Sequence, residues 1–246
     1  MALHTAHGQG GRADPGPWVY REIAGTNLVE VLHPSIGITL TSGEVSSWTG
    51  LYAGLTLTPL GAAQRYLYQA DGSNYGGRFL PQSTASGGRM LRNLAIGSPI
   101  WLDGSRPWFM GCYKWLTTQN NSWILRSLSA GAAQAGPDVR YVSPNLVEAS
   151  SNAAVAYTPD TTKFHIFESG INAAGIWTIG VDAVYGTTGS ATTITGDRTQ
   201  IALGPQNSVP GSLIDTVVGT LLFFKREPSE DQKWRLRRAL KGEGTF

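Results

Sequence analysis

The residue types that carry acid–base chemistry are present in this chain but dispersed. Glu44, Glu148, Asp160, Glu168 and Asp182 stand singly, whereas glycoside hydrolysis needs two carboxylates opposed across a groove. Glu168 and Asp182 are placed to approach each other across a hairpin, and solvated or hydrogen-bonded acids are the expectation there. His33 precedes a proline in a turn, and His165 alternates with Phe164 and Ile166, which predicts an outward-facing strand position. No serine or cysteine is marked out as a nucleophile beside either. His4 and His7 have an H-x-x-H spacing without a third ligand or a carboxylate, so no metal site is expected from them. Cys112, the single cysteine, lies within the run Trp108-Phe109-Met110-Gly111-Cys112-Tyr113-Lys114-Trp115 and reads as a packed thiol. The sequence has no G-x-S-x-G elbow, phosphate-binding loop, dinucleotide fingerprint or zinc pattern. These residues argue against an enzyme.

Binding chemistry is better represented. Trp115 and Trp123 bracket Gln119-Asn120-Asn121, and Tyr75 follows Asn74 in a glycine-rich loop. Aromatic faces stack on pyranose rings while amide side chains bond sugar hydroxyls, so Tyr75, Trp115, Asn120, Asn121 and Trp123 are the candidate carbohydrate-binding residues. Against this stands the expectation that most of the eight tryptophans fill the interior. The second candidate surface is basic. Lys233, Arg235, Arg237, Arg238 and Lys241 lie in one short segment, with Lys225 and Arg226 just before it. A solvated helix face is the default for such a segment. Its functional use would be docking on an acidic neighbouring subunit through Arg235, Arg238 and Lys241, in contacts that weaken with salt.

The elements that must position these residues are mostly strands. The chain has 246 residues, 31 of them glycine, and a charged fraction of 15%. That composition favours short strands joined by turns in one large domain, with enough chain for a core and no need of a staple. A net charge of +2 is too small to argue nucleic-acid binding. No apolar run approaches the length of a membrane span, and the N-terminus lacks an apolar signal core. The expectation is a soluble protein without a leader. Residues 1–17 bury almost nothing and form an extended arm, disordered in isolation. Lying across neighbouring subunits, the arm would contribute His4, His7 and Arg12 to an interface.

Residues 18–246 read as a single domain. Strands are expected around residues 27–32, 44–48, 106–116, 123–128, 139–142, 153–157, 163–169, 174–184 and 200–204. Residues 117–122 would form a hairpin loop, and a second hairpin would turn around Gly170-Ile171-Asn172. Residues 62–69 fit a strand or a short helical turn. From Val217 to Phe224 both alternating faces are apolar, so this strand belongs at the centre of a sheet covered on both sides. Pro228 stops it. Ser229-Glu230-Asp231-Gln232 then reads as a capping box opening one helix over about residues 229–241, with Trp234, Leu236 and Leu240 as its apolar stripe. About ten to thirteen short strands and one terminal helix make an all-β chain.

The order of these pieces resembles a known family. Val45-Ser46-Ser47-Trp48 comes first, then Asp71-Gly72 and Gly77-Arg78, the strand Trp108–Lys114, and the element Gly180-Val181-Asp182-Ala183. Last comes the finish Gly219-Thr220-Leu221-Leu222-Phe223-Phe224-Lys225-Arg226-Glu227-Pro228-Ser229-Glu230-Asp231-Gln232. Together they are similar to the concanavalin A-like lectin/glucanase (laminin G-like) β-sandwich found in bacteriophage structural proteins. The resemblance implies a two-sheet antiparallel jelly-roll sandwich with the short C-terminal helix on an outer face. Ala183 departs from the glycine common at that position, which implies a differently built turn. The E-x-D-x-x-E run of the family's endoglucanases is missing. Calcium, common in such sandwiches, would find only single ligands in Asp71, Asp103 and Asp197, each an ordinary turn former, so no cofactor is expected. The implied function is a non-enzymatic virion protein displayed on the particle exterior, as a decoration, head-spike, tail-fibre or baseplate component. Its partners would be other virion subunits, in a homo-oligomer. The alternative is a lectin-like module recognising host surface glycans; nucleic-acid binding and membrane insertion are not expected.

Overall fold

A computed structural model describes residues 16–59, 65–68, 81–83, 91–92, 100–102, 104–115, 122–128, 137–143, 146–148, 153–158, 160–191, 193–194, 200–203 and 216–242. The chain opens with helix α1 (Trp18–Ala24) and a single 3-10 turn (Gly25–Asn27). Then come β1 (Leu28–Leu32), β2 (Ile38–Thr41), β3 (Glu44–Thr49), β4 (Thr56–Pro59), β5 (Leu67–Tyr68), β6 (Pro81–Ser83) and β7 (Leu91–Arg92). Longer strands follow: β8 (Trp108–Trp115), β9 (Ser122–Leu128), β10 (Val139–Ser143), β11 (Leu146–Glu148) and β12 (Ala154–Ala156). The last are β13 (His165–Ile171), β14 (Ile176–Val181), β15 (Val184–Ala191), β16 (Gln200–Leu203) and β17 (Thr216–Phe224), closed by helix α2 (Glu230–Lys241).

Every described pairing is antiparallel. In one sheet β1 pairs with β17, β17 with β8, β8 with β13, β13 with β14 and β14 with β15. The start of β17 also pairs with β6, which leads through β5 to β3 and β2. The second sheet runs β4, β7, β16, β9, β10, β11, β12. The two sheets face each other as an all-β sandwich, with helices on the outside of the first.

The terminal strand is central, as its two-sided apolar pattern requires. Val218, Leu221 and Phe223 enter the space between the sheets with Phe109, Tyr113 and Trp115 of β8 and Phe167 of β13. Val217, Leu222 and Phe224 face the other way, onto a layer built with Trp108, Met110, Cys112, Tyr20, Ile23, Leu236 and Leu240. Val218 and Leu221 both point inward because the register breaks between them. Gly219 lies in that break, where an added Cβ would stand 3.1 Å from the Cys112 carbonyl oxygen. Each fully buried Leu, Val or Phe contributes roughly 1.5–3 kcal/mol of transfer free energy. The helices are thus part of the core: they supply the outer cover that β17 and β8 need.

Several expectations are corrected. The chain has a second helix, α1, whose Tyr20, Ile23 and Ala24 are buried against the outer face of the sheet. β8 and β9, expected to flank a hairpin loop at residues 117–122, do not pair with each other, because β8 already has β13 and β17 on its two edges. The connection instead carries the chain from one sheet to the other, where β9 pairs with β10 and β16. Residues 67–68 form strand. The second hairpin exists, with its turn at residues 172–175, where Asn172 accepts from the Ile176 amide and Gly175 has φ +79°. On α2 the buried positions are Lys233, Leu236 and Leu240. Trp234 is 53% exposed, with the Arg238 guanidinium over its ring.

Candidate functional site

Two polar clusters sit on β13, one on each face, and each tests the acids and the histidine singled out by the sequence. His165 is buried, not outward-facing. Its Nδ1 lies 2.7 Å from Asp182 Oδ2 and its Nε2 lies 2.9 Å from the Asp160 carbonyl. The Tyr157 hydroxyl donates to the same Asp182 oxygen at 2.5 Å, and Asp182 Oδ1 accepts from the Ile166 amide at 3.0 Å. Both ring nitrogens are thus engaged by neighbours, which fixes the orientation of the imidazole. Burial pushes the Tyr157 hydroxyl well above the usual phenol range, and its bond to Asp182 adds to this. Burial alone would raise the Asp182 carboxyl. Hydrogen bonds from His165, the Ile166 amide and Tyr157 outweigh that and hold it below the ordinary carboxylate value. The cluster ties the β14–β15 turn to β13 and to residues 157–160.

Glu168 is fully buried on the other face, beneath α2. It accepts from Arg237 Nε at 2.6 Å and from the Tyr185 hydroxyl at 3.0 Å. Arg237 also donates to the Tyr185 hydroxyl. Lys233, 2% exposed, lies over the rings of Trp108 and Tyr185 and bonds Glu227 at 2.7 Å and Glu230 at 2.5 Å. Burial lowers the Lys233 ammonium, and the two carboxylates reverse this, leaving it above its ordinary value. Glu168 and Asp182 therefore do not pair with each other.

Among the described residues, a cleft of about 890 Å³ lies between the C-terminal end of α1, the exit of β17 and the start of α2. A hollow of about 250 Å³ adjoins it, sharing Ala173, Arg226 and Glu227 and adding Arg106 and Asn172. The main cleft falls within the roughly 300–1,000 Å³ typical of small-molecule sites. Its walls are pinned by main-chain pairing. Asn27 donates from its side-chain amide to the Arg226 carbonyl at 3.0 Å and accepts from the Arg226 amide at 3.1 Å. The Asn27 carbonyl takes the Lys225 amide at 2.9 Å. Ala173 is clamped at both ends of its peptide: its amide donates to Glu227 Oε2 at 2.8 Å and its carbonyl accepts from Arg106 Nη1 at 2.9 Å. Ser229 and Gln232 close the expected capping box, and Gln232 Nε2 reaches the Ile23 carbonyl of α1. The cleft is thus lined by two cations, Lys225 and Arg226, and two acids, Glu227 and Glu230, on a fixed backbone.

The residues nominated from the sequence fall out differently. Trp115 is fully buried, its ring 4.7 Å from Phe167 and 5.6 Å from His165, so it fills the sandwich and offers no face to a sugar. Trp48, Trp101, Trp108 and Trp177 are buried as well, as expected for most of the tryptophans. Trp123 is the second residue of β9, but its side chain lies outside the described residues, as do Tyr75, Asn120, Asn121, His4, His7, Arg12 and residues 1–15 of the 1–17 arm. The aspartates weighed for calcium, Asp71, Asp103 and Asp197, lie outside them too. Arg235, Arg238 and Lys241 are exposed on α2, whereas Lys233 and Arg237 turn inward. Cys112 is buried. The cleft was not nominated from the sequence. Its one local signal is the Lys225-Arg226 pair between an apolar strand and a capping box; the approach of Asn27 and Arg106 is tertiary.

No protein-family profile and no curated protein matches the sequence. Solved structures do match in fold. A Trypanosoma rangeli sialidase in complex with sialic acid aligns with TM-score 0.55 at 12% identity, over 91% of this chain and 35% of that one. Botulinum neurotoxin type C, in a structure concerned with two ganglioside molecules, aligns with TM-score 0.57 at 11% identity over 87% of this chain and 51% of that one. The binding domain of botulinum neurotoxin DC, in complex with rat synaptotagmin II, gives TM-score 0.55 at 11% identity over 87% and 52%. This chain spans about a third to a half of those proteins, and at these identities the likeness is one of fold.

Proposed function

We propose that this chain is a non-enzymatic, lectin-like β-sandwich that binds carbohydrate in the cleft between α1, the exit of β17 and α2. The observation that carries the reading is the cleft itself: ligand-sized, backbone-pinned, and lined by hydrogen-bonding and cationic groups. Rigid walls of this kind favour binding because little ordering is left to do when a ligand arrives. The two titratable clusters support the non-enzymatic part. In one, the histidine, tyrosine and aspartate are all engaged with one another and with the backbone; in the other, the glutamate is covered by α2. The fold likeness to proteins whose structures concern sialic acid and gangliosides supports a saccharide as the ligand class. A glycan array on the purified protein is the test. Hits lost on Arg226→Ala, with the thermal midpoint unchanged, are expected. Turnover of any bound glycan would overturn the non-enzymatic reading.

A second reading concerns where the module works. Arg235, Arg238 and Lys241 form an exposed cationic strip, while Lys233 and Arg237 of the same helix turn inward. That strip supports docking on an acidic neighbour, and display on the exterior of a phage particle, in a homo-oligomer aided by residues 1–17, is the assembly role it would serve. Reversing all three charges to Glu should abolish incorporation into particles; unchanged incorporation would remove the role.

A further inference from the structure

We infer that the ligand is an acidic saccharide, and that the hollow between Arg106 and Arg226 receives its carboxylate or sulfate group. This rests on the carbohydrate reading above and adds the charge and the place. Arg106, Lys225 and Arg226 line the two adjoining cavities together with Glu227 and Glu230. The acids are already answered. Glu227 spends one oxygen on Lys233 and the other on the Ala173 amide, and Glu230 bonds Lys233. The two arginines are not consumed in the same way. Arg106 uses Nη1 on the Ala173 carbonyl, which fixes the side chain and leaves the rest of its donors for a ligand. Arg226 has its backbone held on both sides by Asn27, while its side chain is exposed at the rim of both cavities. A guanidinium anchored at its base is the group best matched to a planar carboxylate or a sulfate, since it offers two parallel donors. Lys225 at the same cleft adds a point charge. A neutral sugar would leave these cations without a counter-charge, so the cleft discriminates by charge.

The test is titration calorimetry on the full chain at low salt with three probes: lactose, 3′-sialyllactose as the carboxylated sugar, and a heparin hexasaccharide as the sulfated one. One or both acidic probes should bind at least tenfold more tightly than lactose, and the better one identifies the anion. Raising the salt to several hundred millimolar should weaken that binding, as expected for partly exposed charge pairs. Arg226→Ala, which leaves the backbone contacts of residue 226 in place, should cost at least tenfold in acidic-probe affinity with the thermal midpoint unchanged. Arg106→Gln should do the same to the acidic probes and leave lactose alone. Equal binding of lactose and the acidic probes, indifferent to both substitutions, would overturn the charge assignment and leave the carbohydrate reading standing. Absence of binding to all three probes, followed by an empty array of neutral and acidic glycans, would overturn both.

Discussion

Arg237 Nε donates to Glu168 Oε1 at 2.6 Å across the seam between α2 and β13, and this contact fastens the terminal helix to the sheet. Glu168 is completely buried and Arg237 nearly so. Leu236 and Leu240 supply apolar contact on either side. A charge pair under a helix is costly to assemble but far costlier to break, because the remaining partner keeps its desolvation penalty.

Removing one partner should therefore show the asymmetry. Arg237→Ala leaves Glu168 with only Tyr185 as a described side-chain donor, and the expected loss is roughly 3 kcal/mol, near the lower end for a broken buried pair. The double variant Glu168→Leu/Arg237→Met should be less destabilised than Arg237→Ala, since no charge is stranded. Urea unfolding of both variants measures this. A loss below about 0.5 kcal/mol for Arg237→Ala would mean that the pair is hydrated and idle.

A second buried carboxylate has no cation among its hydrogen-bond partners. Glu30 accepts from the amides of Val31 and Tyr52 through Oε1, and from those of Ala53 and Leu55 through Oε2. It holds the loop after β3 against β1. Glu30→Gln places an amide donor against amide donors and removes the charge, so a loss of about 3 kcal/mol is expected. Gly50→Ala should act on the same lock, because an added Cβ would stand 2.2 Å from Glu30 Cδ. Faster hydrogen exchange at Tyr52, Ala53 and Leu55 in both variants is the direct readout; unchanged exchange there would refute the lock.

What the sequence made legible was periodicity and local capping. The strand Thr216–Phe224 and the capping box at Ser229 are visible because apolar alternation and the Ser-x-x-Gln spacing are local signals. Trp108–Trp115 is legible for the same reason, although its pairing with β13 and β17 rather than β9 is not. The helix Trp18–Ala24 was not legible. It has no side-chain cap and is only seven residues long, so its helicity comes from packing Tyr20 and Ile23 on the sheet. Glu30 reads as an ordinary outward strand residue until the loop at residues 50–55 folds over it. The cleft is invisible for the same reason: Asn27 and Arg226 meet across 199 residues of chain.

The β14–β15 turn offers a stabilising change. Asp182 and Ala183 have φ values of 48° and 68°, so both turn residues are left-handed, as in a type I′ hairpin. The sequence implied a turn built in another way; instead, Ala183 adopts the conformation that glycine would take without strain. Left-handed geometry costs an alanine roughly 1 kcal/mol. Ala183→Gly should recover about 0.5–1 kcal/mol, less what glycine loses in unfolded-state entropy. Ala183 is exposed, so no packing is lost. A higher midpoint in thermal unfolding is expected, and a lower one would contradict the assignment of strain.

The acid limb of stability should be governed in part by the other residue of that turn. The folded-state pKa of Asp182 lies below its unfolded value because hydrogen bonds from His165, the Ile166 amide and Tyr157 outweigh the effect of burial. A carboxyl depressed in the folded state contributes stability that is fully present above its unfolded pKa, about 3.9. That contribution drains away as pH falls through the lower folded value. Asp182→Asn keeps a residue that tolerates left-handed φ but removes the titrating group. The wild-type unfolding free energy should therefore fall more steeply than that of the variant between about pH 4 and pH 2, with the two curves drawing together at the acid end. Asp160 is a useful control. Its carboxyl is also held low, first by the Thr162 hydroxyl, then by the Thr162 amide and Lys163, but at the surface. Asp160→Asn should flatten the limb less, and its effect should shrink in high salt while that of Asp182→Asn persists. Parallel acid limbs for wild type and Asp182→Asn would show that the Tyr157–Asp182–His165 cluster contributes no proton-linked stability.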